Sequence, residues 1–97
     1  MTYFAVTYTY NPDSEQISSL RPIHREFTAR LMAEGKIIGS GPFSDGGGGA
    51  LIVIALEEGA QLADAEALMN EDPFHREGAL EDRSIRLWNP VISTFGA

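Results

Sequence analysis

Aromatic and β-branched residues crowd the run from Tyr3 to Tyr10, which predicts a strand. Alternation puts Phe4, Val6, Tyr8 and Tyr10 on one face, the more apolar one, and Tyr3, Ala5, Thr7 and Thr9 on the other. Asn11-Pro12-Asp13 marks a turn. From Asp13 to Glu34 the period becomes helical. Apolar residues recur at Ile17, Leu20, Phe27 and Leu31, steps of three, seven and four that describe one helix face. His24 stands where an apolar residue would complete that stripe. Asp13 or Ser14 can cap the helix, with Gln16 in a capping-box position, and Gly35 can close it. Pro22 predicts a kink or a fresh helix start.

Lys36 to Phe43 reads as a second strand, weakened near its end by Gly39, Gly41 and Pro42. Ser44 to Gly49 carries four consecutive glycines and reads as a flexible hairpin loop or lid. ALIVIAL, Ala50 to Leu56, is the most apolar stretch and predicts a central strand. Gln61 to Glu71 predicts a helix with the stripe Leu62, Ala65, Met69, which continues to Asp72 just before Pro73. The residue before a proline disfavours helix, so the helix ends there. Arg83 to Trp88 predicts the last strand, and Ile92 to Phe95 a tail or an extension. The order strand, helix, strand, strand, helix, strand implies an α+β domain: a four-stranded antiparallel sheet with both helices on one face. The other face then needs a cover, and a second subunit is the simplest one.

The chain has 97 residues, enough for one domain with a thin core. With 14 acidic and 7 basic residues, a net charge of -7 argues against nucleic acid and against an anionic membrane surface. The absence of cysteine excludes disulfides, thiolate zinc sites and a thiol nucleophile. No basic n-region or spanning apolar run is present, so a cytoplasmic protein is expected.

Two residues stand out chemically. His24 on the inner stripe reads either as a core histidine bonded to a carbonyl or as a general acid or base, since imidazole titrates near neutrality. Asp72 reads either as an outward aspartate of an Asp-Pro turn or as an inward carboxylate. Placed inward at the negative end of a helix it needs a compensating partner, and His24 is a candidate. On that reading the pair is a dyad in which Asp72 orients one ring nitrogen and the other faces a pocket. Replacing Asp72 by Asn is then expected to cost the fold little. Ser40 offers a third hydroxyl or is an ordinary strand residue. Arg21 can hold a substrate carboxylate or pair with a neighbouring acid. A metal site of His24, Asp72 and His75 is disfavoured because Pro73 breaks the local geometry. The glycine loop lacks the Lys-Ser/Thr of a phosphate-binding loop and precedes a strand.

Several of these pieces, taken in order, resemble the YCII-related family of small proteins. They are Arg21-Pro22-Ile23-His24, Gly35-Lys36, Gly41-Pro42-Phe43, the strand Ala50 to Leu56, Asp72-Pro73-Phe74, Gly78-Ala79-Leu80 and Ile85-Arg86-Leu87-Trp88. The resemblance runs from Tyr3 to Asn89. It implies a ferredoxin-like βαββαβ fold of the dimeric α+β barrel type, with an active site whose His and Asp map to His24 and Asp72. Some relatives act in the catabolism of chlorinated aromatics, as a dehydrochlorinase of a chlorinated hydroxyhydroquinone, and the wider superfamily includes muconolactone isomerases. The four-glycine loop and His75 depart from the pattern, so the substrate does not carry over.

The expected protein is therefore a ferredoxin-like homodimer that acts on a small molecule. It is expected to be a lyase or isomerase in which His24 moves a proton on a cyclic or aromatic substrate and Asp72 fixes its tautomer. Gly41, Pro42, Phe43 and Phe74 shape the pocket, with Arg21 and Ser40 as further substrate contacts. No cofactor and no metal are expected. The alternatives are a metabolite-binding or regulatory homodimer without catalysis, and a structural module for a partner protein.

Overall fold

The computed structural model describes residues 1–95. The elements are β1 (Thr2–Thr9), α1 (Glu15–Ala33), β2 (Ile37–Pro42), β3 (Ala50–Leu56), α2 (Leu62–Met69), α3 (Pro73–Arg76) and β4 (Asp82–Trp88). The strands form one antiparallel sheet in the order β2-β3-β1-β4, a ferredoxin-like α+β arrangement.

The alternation in β1 settles the core. Phe4, Val6 and Tyr8 are buried with Ile52 and Ile54 of β3, and onto them pack Ile17, Phe27 and Leu31 of α1 and Ala65 and Met69 of α2. Both long helices therefore cover the same sheet face. The first helix begins one residue later than Asp13 capping would require. Ser14 is its N-cap, accepting from the Ile17 N–H at 3.2 Å, while the Asp13 N–H donates to the Asn11 side chain at 2.8 Å. Gln16 forms no capping box; its amide donates to the Glu77 carbonyl at 2.8 Å. The helix is continuous through Pro22, so no fresh start occurs there. It closes with Lys36 N–H on the Leu31 carbonyl at 2.8 Å and Gly35 N–H on that of Met32 at 3.0 Å. This closure needs a left-handed residue, which Gly35 supplies at φ 75°.

The glycine loop closes the β2–β3 hairpin, with Phe43 N–H donating to the Gly49 carbonyl at 3.0 Å. Its role differs from that of a lid. Gly48 has φ 77°, and a Cβ there would collide with the Tyr10 carbonyl oxygen and lie 2.9 Å from the Pro12 ring. The loop is thus laid against the end of β1.

The outer sheet face carries exposed Phe43, Leu51 and Trp88. One end of it is covered from within the chain. The Phe95 ring lies 5.5 Å from that of Tyr3 and 6.2 Å from that of Trp88, so the tail folds back onto the sheet. Among the described residues no helix is long and apolar enough to cross a membrane.

Candidate active site

Asp72 is the centre of the site, and its local sequence explains how it is held. Pro73 forces the preceding residue out of helical geometry, and Asp72 is extended at φ -64°, ψ 128°. The same proline is a favourable first residue of a new helix, so α3 starts at once. Asp72 becomes its N-cap and accepts from the Phe74 N–H at 3.0 Å. The expectation that Asp72 ends the preceding helix is therefore corrected. Helix α2 stops at Met69 with Asn70 as its cap, and Asp72 lies at the start of α3, where a carboxylate is favoured.

The side chain points inward and is fully buried, at 0% exposure. The Tyr8 hydroxyl donates to Oδ2 at 2.8 Å. The His24 Nδ1–H lies 2.9 Å from both Oδ1 and Oδ2. With the Phe74 amide, these donors satisfy a charge that would otherwise be costly to bury. Burial, and then the charge and hydrogen bond of Asp72, push the Tyr8 phenol well above its ordinary range against the opposing pull of Arg83. Tyr8 therefore remains a donor.

His24 is 8% exposed, and its ring stacks on Phe74 at 4.0 Å and 8°. A carboxylate only accepts, so Nδ1 carries the hydrogen and Nε2 of the neutral ring is the bare nitrogen. Among the described residues nothing in the protein bonds to Nε2. The ring is thus fixed on one edge and one face, with Nε2 left over.

His24 lines a cavity of about 350 Å³. Arg21 of α1, Ser40, Gly41 and Pro42 of β2, and Phe74 of α3 line it too, with Tyr10, Arg25 and Thr28. Phe43 is not among them. It sits on the outer side of the sheet, beside Leu51 and Val53. A larger concavity of about 680 Å³ opens near Lys36 and Glu57, but no member of the Asp72 network reaches it. His75 is exposed on α3, and its imidazole is pushed below its ordinary value of 6.5 by partial burial and by Arg83, against Asp72. Among the described residues no three His, Asp or Glu side chains converge as metal ligands would.

Tyr8 was visible in the sequence only as a core-facing aromatic. Its hydroxyl was the available signal, because a buried phenol must find a partner. Arg25 and Thr28 gave no signal of their own.

A family model described as the YCII-related domain matches residues 1–89. In structure, the chain is similar to the 5-chloro-2-hydroxyhydroquinone dehydrochlorinase TftG from Burkholderia phenoliruptrix AC1100, solved in complex with 2,5-dihydroxybenzoquinone. The TM-score is 0.73 at 18% identity, over 98% of this chain and 99% of that one, and the likeness establishes the fold. No curated protein matches in sequence.

Proposed function

The chain belongs to the YCII-related domain family, and from that premise we propose that it is a small-molecule enzyme of the lyase or isomerase type, working as a homodimer. The observation that carries the reading is the buried His24–Asp72 pair, with Nε2 unpartnered beside a cavity. In this reading Nε2 takes a proton from a carbon or hydroxyl of a cyclic or aromatic substrate and returns it in an isomerisation or loses it to solvent in an elimination. Asp72 holds the tautomer and stabilises the imidazolium as it forms. In a dehydrochlorination the base removes the proton, its bonding pair becomes the new π bond, and the C–Cl pair departs with chloride. Arg21, Ser40, Gly41, Pro42 and Phe74 contact the substrate, and Phe43 belongs to the subunit interface instead.

The test is turnover of chlorinated and unchlorinated hydroxyhydroquinones in D₂O, read as chloride release and deuterium incorporation. The expected loss in His24→Gln is about 10²–10⁴-fold in rate. Ring compounds that bind wild type and His24→Gln alike, with no turnover of any, would instead make this a metabolite-binding homodimer.

A further inference from the structure

We infer that the cavity beside His24 selects small carboxylates, with Arg21 and Arg25 together holding the acid group of the substrate. This rests on the cavity being the substrate site and not on its being catalytic. The chain has twice as many acidic as basic residues, 14 against 7. Yet the cavity wall contains two guanidiniums and no carboxylate. Asp72 lies behind His24, fully buried and already bonded.

Arg21 and Arg25 are four apart on α1, so they are neighbours on one helix face and repel each other. Among the described residues neither has an ion-pair partner. The next cations along the chain do: Arg30 lies near Glu34 and Glu71, and Lys36 bonds Glu34 at 3.1 Å. In so acidic a chain, two adjacent cations left without an acid at the mouth of a cavity leave room for an anion from outside. Guanidinium matches the planar, two-oxygen edge of a carboxylate. Ser40, Thr28 and Phe74, the last stacked beneath His24, line the rest of the site. At about 350 Å³ the cavity is near the small end for ligand sites, room for one ring and its acid group. The carboxylate would sit on the arginines and place the ring against Nε2. Arg25 is thereby a specificity residue.

The experiment is an NMR titration of the ¹⁵N-labelled protein with benzoate, and with benzamide as its neutral isostere. Benzoate is expected to shift amides of α1 near residues 21–28 and of β2, with benzamide at least about tenfold weaker. Arg21→Gln and Arg25→Gln should each weaken benzoate by at least about tenfold, and Arg30→Gln should leave it unchanged. Both replacements are on the helix surface, and retained amide dispersion shows that they fold. Equal affinity for benzamide, or wild-type affinity in either variant, overturns the inference. Inorganic phosphate binding more tightly than benzoate overturns the carboxylate assignment. Binding is read without turnover. Benzoate held by both arginines in a protein that converts no ring compound leaves this inference standing and removes the proposed activity. Turnover indifferent to both arginines does the reverse.

Discussion

At the scale of single residues, the site turns on how Asp72 is satisfied. Sequence reasoning placed it against a helix dipole, which made its replacement look harmless. With bonds from Tyr8, His24 and the Phe74 amide, the opposite holds. Asp72→Asn turns one acceptor oxygen into a donor that faces other donors. We expect a loss of about 2–4 kcal/mol in denaturant unfolding. Tyr8→Phe removes one bond and should cost about 1–2 kcal/mol near neutral pH. Its pH dependence is separable. The folded phenol titrates above its ordinary value of 10.0, so its contribution is complete below pH 10 and is lost as pH rises further. Alkaline unfolding curves should therefore show the wild-type advantage over Tyr8→Phe shrinking above that pH. His24 was legible because a polar residue interrupted an apolar stripe. Tyr8 was not legible as a donor to Asp72, because its partner lies 64 residues away.

At the scale of elements, the long pieces were readable and the short ones were not. The stripe of α1 and the alternation of β1 span enough periods to declare themselves. Helix α3 has four residues, too few for any period. Pro73 also has two meanings, the end of one helix and the start of the next, and only the first was read. That single ambiguity moved Asp72 from the wrong end of α2 to the favourable end of α3. The glycine loop was legible as a hairpin loop but its packing was not, since a run of glycines carries no sign of what it packs against. Gly46 and Gly48 both have positive φ, but a Cβ at Gly46 meets nothing within 4 Å while one at Gly48 strikes Tyr10 and Pro12 just past β1. Gly48→Ala should thus cost about 1–3 kcal/mol more than Gly46→Ala in thermal or chemical unfolding.

At the scale of the whole molecule, the open sheet face is the surface that lacks a full cover. Phe43, Leu51 and Trp88 remain exposed there, although Phe95 covers one end. The proposed homodimer buries this face. Light scattering should give about twice the 10.6 kDa chain mass, and Leu51→Arg should shift the protein to monomer. A monomeric wild type would remove the homodimer from the proposal. Need for a cover was legible from the strand order; the tail's share in it was not, because Tyr3 and Phe95 stand at opposite ends of the chain. The same separation governs how the site comes into being. The bonds to Asp72 join residues 48 and 64 positions apart, and β4 pairs with β1 across nearly the full chain. Such long-range contacts form late, after loop closure has been overcome. The histidine and its carboxylate meet only through segments 48 residues apart, so a chain in which α1 and α3 have not docked has no such pair.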